Sequence, residues 1–377
     1  MRVYLDNAAS TPLDQEVLDA MMPYMLEHYG NPSSIHTHGR EARTAIEKSR
    51  KAVASLLSTS PSEIFFTSGG TEADNTAIHC HINSYGIRHV ISSPIEHHAV
   101  LHCLEDLEHS GIVKVSYLQH DDTGNFNMAE LDNLLQKNPG SMVSLMHANN
   151  ELGNINDIEE IGRLCSVHHA IFHSDTVQTI GHLPLDLQKL KINYIVGSAH
   201  KFHGPKGAGF LYANSSHKIS PLIFGGAQER NMRGGTENIY GIVGLAKAME
   251  IAYRDIEKDR KYIQGLKDSM IRKLKESVAD ISFNGESENN QKSLYTILNV
   301  SLPASEDNDM LLFNLDINSI SVSAGSACAS GTDVGSHVLR SINASPERGH
   351  VRLSFSKYNT MEEVDYVAEK VAALYRK

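Results

Sequence analysis

Seven short apolar runs between residues 64 and 212, with helix-like stretches between most of them, constrain this chain more than any other feature. The runs are Ile64–Thr67, His89–Ser92, Val113–Leu118, Val143–His147, Ala170–Ser174, Tyr194–Gly197 and Gly209–Tyr212. Met128–Gln136 and Asp157–His168 are among the amphipathic stretches that separate them. Strands joined through helices run parallel, and the helices cover both faces of their sheet. The expected fold class is therefore α/β, with a mostly parallel seven-stranded sheet covered by helices. An amphipathic helix over Arg40–Leu57 precedes the first run, with Ala42, Ala45, Ile46, Ser49, Val53 and Leu56 along one face.

After residue 239 the pattern changes. A long helix is expected over Ile239–Glu276, followed by short strands at Thr296–Ser301, Ser319–Ser323 and Gly349–Ser354 and a closing helix at Met361–Tyr375. This reads as a smaller α+β domain. The polar stretch Asn284–Lys292 and the loop around Cys328 are the expected mobile segments.

Composition narrows the function. A formal net charge of −11 over 377 residues argues against nucleic acid or an anionic membrane as partner. No apolar run approaches the roughly 20 residues that span a bilayer, and the first residues carry no signal-peptide core. The four cysteines, Cys80, Cys103, Cys165 and Cys328, include no CxxC pair and form no disulfide framework. A reducing, cytoplasmic setting is expected. The 21 histidines contain no HExxH and no ligand array, so no metal is expected.

Chemistry concentrates around Lys201 in Ser198-Ala199-His200-Lys201-Phe202-His203-Gly204-Pro205-Lys206-Gly207. A lysine in a small-residue turn after a strand, with Asp175 ending the preceding strand, suits pyridoxal phosphate. The lysine would carry the cofactor, and the carboxylate would hold its pyridine nitrogen protonated. Asp175 before Thr176-Val177-Gln178 is equally a helix N-cap. Ser68-Gly69-Gly70-Thr71 joins a strand to a helix start and offers N–H groups to a phosphate, or merely caps the helix. Arg352, inside the apolar Val351–Ser356 run, calls for a fixed anion: a substrate carboxylate or a structural partner. Cys328 sits in Ser323-Ala324-Gly325-Ser326-Ala327-Cys328-Ala329-Ser330-Gly331, without bulky anchors. It is an accessible nucleophile or an inert loop thiol.

These residues together resemble the cysteine desulfurases of the NifS/IscS-like kind, in the class V aminotransferase group of fold-type I pyridoxal-phosphate enzymes. The likeness runs from Tyr4-Leu5-Asp6-Asn7-Ala8-Ala9 to Arg352-Leu353-Ser354-Phe355. Between them come Gly30-Asn31-Pro32-Ser33-Ser34, Thr67–Glu72, Glu96-His97-His98-Ala99, Asn149–Gly153, Ser198–Lys201, Met232-Arg233-Gly234-Gly235-Thr236 and Gly325–Cys328, in order.

The resemblance implies a PLP-dependent transferase of fold type I. Its large domain would span residues 16–255, and residues 1–15 and 256–377 would form the small domain carrying the Cys328 loop. Lys201 would bind the cofactor and later shuttle protons, Asp175 would hold the ring nitrogen and Gln178 the ring oxygen. Thr71, Ser198, His200 and the Gly70 turn would grip the phosphate, and Thr236 would reach the phosphate of the other subunit in a homodimer. His97 would stack on the ring and assist proton transfers. Asn150, Asn31 and Arg352 would hold L-cysteine, with Arg352 on its carboxylate, and Asn150 would contact the cofactor as well. Cys328 would take the sulfur as a persulfide and hand it to an acceptor protein in iron–sulfur, thio-cofactor or tRNA thiolation chemistry. The family alternative is a selenocysteine lyase or another class V lyase or aminotransferase. Two departures stand out. Thr176-Val177 replaces smaller apolar residues, and Lys377 ends the chain before the tail that docks the general iron–sulfur scaffold, which makes that scaffold the less expected acceptor.

Overall fold

The computed structural model describes residues 1–306, 308–324 and 335–375, so Cys328 and its loop lie outside the described residues. The chain enters through β1 (Val3–Tyr4), α1 (Gln15–Leu26) and α2 (Thr37–Leu56). It then alternates through β2 (Ile64–Thr67), α3 (Gly70–Tyr85), β3 (His89–Ser92), α4 (His98–His109), β4 (Lys114–Tyr117), α5 (Met128–Lys137), β5 (Met142–Ser144), α6 (Ile158–Val167) and β6 (Ile171–Asp175). Strands β7 (Tyr194–Ser198) and β8 (Gly209–Ala213) complete this half. The rest is α7 (Ile239–Ser277), β9 (Ser282–Phe283), β10 (Ile297–Ala304), α8 (Leu311–Ile317), β11 (Ile320–Ser321), α9 (His337–Ser341), β12 (Arg348–Ser354) and α10 (Met361–Tyr375).

The seven runs form one sheet in the order β2-β8-β7-β6-β5-β3-β4. It is parallel except for β8, which runs against both neighbours. Both faces are covered. Ile195 and Phe172 pack with α2, α6 and α7 on one side. Tyr194 and Val196, their alternate neighbours, pack with α3 and α4 on the other. That two-sided burial is why these strands read as near-continuous apolar runs. β5 is shorter than the expected Val143–His147, because the Met146 N–H turns aside to the Glu96 carboxylate at 3.0 Å.

The second half forms its own three-stranded antiparallel sheet, β12-β10-β9, beside a parallel β1–β11 pair. Its core joins Val3 and Leu5 to Leu266, Met270 and Leu274 of α7 and to Val364 and Val367 of α10. Helix α7 therefore feeds both cores, with Leu245 and Met249 in the larger one. No helix among the described residues is long and apolar enough to cross a membrane.

A buried ion pair steadies the side of the sheet nearest the glycine turn. Arg50 donates from both Nη atoms to Glu229, at 2.7 and 2.8 Å, and the Phe66 N–H of β2 donates to the same carboxylate at 2.8 Å. Removing one partner from such a buried pair costs about 3–5 kcal/mol. The next contact along is Arg233 on Glu72, at 3.0 and 3.3 Å, and Glu72 in turn accepts the Ser68 N–H at 2.9 Å. Charge pairing thus reaches the Ser68–Thr71 turn from outside.

Candidate active site

The C-terminal ends of parallel strands in an α/β sheet are where ligands gather. Here Asp175 ends β6, Ser198 ends β7, and Lys201 closes the single 3-10 turn that follows. A cavity of about 230 Å³ opens there. Lys201, Asp175, Gln178, His97, Asn150 and Arg352 line it, and so do Gly70, Thr71, Ser198 and His200, with Ala8, Ala9, Met146, Ala148 and Val177 as smaller or apolar neighbours.

Lys201 Nζ donates to the Ala8 carbonyl at 2.5 Å and to the Ala9 carbonyl at 3.0 Å. Gln178 donates to the same Ala8 carbonyl at 3.1 Å. Asp175 accepts the Val177 N–H at 2.9 Å, so the local turn foreseen as an alternative is present as well. Burial pushes the Asp175 pKa up, against that hydrogen bond and the nearby Lys201 charge. A cation placed against this carboxylate would relieve the strain of burial.

His97 is the N-cap of α4, and its Nδ1 accepts the Ala99 N–H at 3.1 Å. Burial first, and Lys201 second, lower its pKa to about 4. It is neutral at neutral pH, and the capping bond assigns its hydrogen to Nε2. His200 is lowered to about 4 as well, by burial and by Lys201 and Lys206.

Helix α3 begins at Gly70 with no side-chain cap on its first N–H groups. Its N-terminus opens on an adjoining mouth of about 380 Å³, where Ser68, Thr71, Ser198, His200 and Lys206 converge. Unfilled N–H groups, hydroxyls and a cation make an anion site. The turn lies directly on β8: a Cβ on Gly209 would come within 2.6 Å of Gly69 Cα. The whole donor set fits pyridoxal phosphate, with a phosphate cradle at α3, a lysine beside the alanine carbonyls, and a buried carboxylate without an ion-pair contact among the described residues.

Arg352 is 1% exposed. It donates from Nη2 to Asp6 at 2.8 Å and from Nη1 to the Asn150 carbonyl at 2.8 Å, and its Nε has no hydrogen-bond partner among the described residues. The structural salt bridge left open by the sequence is therefore formed, at the cavity wall. Two expected residues do not line this cavity. Thr236 lies in a separate pocket with Ser68, Gly207 and Arg233. Asn31 is exposed, and its side chain accepts the Ser33 N–H at 2.9 Å. Sequence reasoning passed over Lys206, Asp74 and the Ala8 and Ala9 carbonyls. Only Lys206 left a readable signal, as a second lysine in the Gly204-Pro205-Lys206-Gly207 turn.

The Val177 departure has a structural counterpart. A Cβ on Gly70 would meet Val177 Cγ2 at 2.6 Å, so the valine occupies the space that an alanine at 70 would need. A Gly70→Ala variant is expected to lose about tenfold in cofactor affinity through this clash. Val177→Ala on top of it is expected to restore most of the loss. Equilibrium dialysis on the four proteins of that double-mutant cycle measures the coupling; additive effects would refute the steric pairing.

Residues 3–367 match the family described as Aminotransferase class-V. Over its full length the chain is 41% identical to a cysteine desulfurase IscS of Dictyoglomus turgidum, covering 95% of that protein. It is 43% identical to a cysteine desulfurase IscS of Methanosarcina thermophila, again over all of this chain and 92% of the relative. A solved NifS-like protein superimposes with a TM-score of 0.91 at 38% identity, over 99% of each chain.

Proposed function

The chain belongs to the class V aminotransferase family and is a cysteine desulfurase within it; from that premise we propose which of its residues carry the reaction, and how. One observation supports the assignment above the others. Lys201, Asp175 and His97 converge on one cavity that the uncapped N-terminus of α3 also borders.

Pyridoxal 5'-phosphate is the proposed cofactor. Lys201 would hold it covalently, Asp175 would face its ring nitrogen and Gln178 its ring oxygen. Gly70, Thr71, Ser198 and His200 would take its phosphate, with Thr236 contributing across a homodimer. When bound, the cofactor supplies an electron sink for bonds at the substrate carbons.

The protein's own groups do the rest. Lys201 would also move protons at the substrate carbons, and the Ala8 and Ala9 carbonyls hold its amine in place. His97, neutral and pinned through Nδ1, would stack on the cofactor ring and offer its Nε2–H. Arg352 and Asn150 orient L-cysteine, with Asn31 nearby, and Arg352 exchanges its Asp6 contact for the substrate carboxylate. Cys328, as thiolate, attacks the substrate sulfur. An S–S bond forms, the C–S bond breaks, and its electron pair stays with the three-carbon fragment, which is protonated and leaves as alanine. The persulfide on Cys328 passes to an acceptor protein for iron–sulfur cluster, thio-cofactor or tRNA thiolation chemistry. The proposed setting is the cytoplasm, and the proposed division is a large domain over 16–255 with a small domain from 1–15 and 256–377.

The test is alanine and sulfide release from L-cysteine, with pyridoxal phosphate and a reducing thiol present. Equal molar yields are expected. A protein that holds the cofactor and yields neither product would overturn the substrate.

A further inference from the structure

One wall of the cavity carries polar groups that the reaction above leaves unused. Asp74 lies one turn into α3, after Gly70, and lines the cavity while being only 1% exposed. His173 stands two residues before Asp175 on β6, on the same face of the sheet, and is fully buried. Asp74 Oδ1 and His173 Nε2 are 3.3 Å apart, and among the described residues neither atom has a hydrogen-bond partner. On its other side, His173 Nδ1 lies 2.9 Å from Ser144 Oγ of β5.

A proton held between the two atoms would serve both. A carboxyl carrying it donates to Nε2, and the neutral imidazole then has its hydrogen on Nδ1, directed to Ser144 Oγ. We propose that Asp74 and His173 form a neutral, hydrogen-bonded pair behind Asp175, and that this pair positions Asp175 and leaves it the charged carboxylate of that wall.

The surroundings agree with a neutral pair. The titratable groups facing Asp74 are Asp175, Glu96 on the β3–α4 loop, Cys103 on α4 and His173 itself. None of these supplies a cation, and the cations that line the same cavity, Lys201 and Arg352, are held elsewhere, by the Ala8 and Ala9 carbonyls and by Asp6. Burial, then Asp175, then Glu96 drive the Asp74 pKa well above its ordinary value. Burial lowers that of His173 to about 3, which favours the neutral imidazole near neutral pH. Asp74 is thus a positioning residue: it acts through His173 and the shared strand rather than on the reacting atoms.

The inference rests on the reading of Asp175 as the ring-nitrogen partner, and the experiment separates the two. Infrared spectra of the full-length protein at neutral pH are compared between Asp74 and Asp74→Asn forms. Both carry Glu96→Gln, because burial also raises Glu96, to about 8. Loss of a protonated-carboxyl stretch on Asp74→Asn is expected; no loss overturns the neutral pair. In the otherwise native protein, an asparagine amide can replace the acid as donor to Nε2. Asp74→Asn is therefore expected to keep cofactor affinity within about twofold, while Asp74→Leu loses about tenfold and shifts the pH titration of the bound cofactor's visible absorption. Equal damage from the two variants overturns the positioning role. An Asp175→Asn variant with an unaltered cofactor titration would overturn the Asp175 reading alone, since the infrared result does not depend on the cofactor.

Discussion

Alanine formation from L-cysteine falls roughly a thousandfold or more in a Cys328→Ala variant, while Ala variants of Cys80, Cys103 and Cys165 keep it. The asymmetry follows from the state of the other three thiols. All are buried, and burial pushes their pKa values up, to about 11 for Cys80 and about 12 for Cys103 and Cys165. At neutral pH such thiols hold about one part in ten thousand or less as the thiolate that attacks sulfur. Cys328 stands in a run of glycine, serine and alanine with no bulky side chain to bury it. The assay is single-turnover and steady-state alanine release, with persulfide detected by mass on the intact chain. Persistent alanine formation in Cys328→Ala would sink the assignment. L-Selenocysteine is the companion substrate, because selenium can leave without help from a thiol. Retained turnover of selenocysteine in the variant, with cysteine turnover lost, places the thiol in the sulfur-transfer step.

Lys201→Ala is expected to lower alanine release by about 10⁴-fold and to leave a folded protein whose cofactor washes out on dialysis. The lysine has two separate tasks, the covalent link and proton transfer, and the geometry serves both. Two backbone carbonyls hold Nζ at the cavity, and they come from a segment 193 and 192 residues away. Lys201→Arg distinguishes chemistry from charge. Arginine keeps the cation, but it can neither form the link nor give up its proton near neutral pH, so it is expected to fail as completely as alanine. An arginine variant with more than about a hundredth of native activity would reduce Lys201 to an electrostatic role.

The parts of this site that follow the chain direction were legible. Buried parallel strands advertise themselves as apolar runs, so β2, β3, β4, β6, β7 and β8 stand within a residue of the expected limits. Asp175 at a strand end and Lys201 one turn beyond the next are positions that a linear reading can reach. Pairings across the fold were not legible. Asp6 with Arg352, Gly70 with Val177, and Asp74 with His173 join residues that share no local pattern, and no periodicity announces them. Arg352 shows the limit clearly, since an arginine in an apolar strand demands an anion without saying whose. Thr236 and Asn31 stand outside the cavity of a single chain, where motif order alone gives no geometry.

The course of the first dozen residues carries a consequence for synthesis. Val3 pairs with Ile320, Asn7 donates to the Ser354 carbonyl at 2.7 Å, the Ala8 N–H donates to Ser354 Oγ at 2.9 Å, and the Thr11 N–H donates to the His200 carbonyl at 2.9 Å. These residues therefore dock on β12, and Asn7 waits for a partner made 347 residues later. The large sheet can assemble before β12 is made, but the lysine cradle must wait, because the segment that carries its carbonyls is anchored at Asn7 and Ala8 by Ser354. A product that stops before β12 would be a folded sheet without a working site, so β12 is itself a condition for handling cysteine.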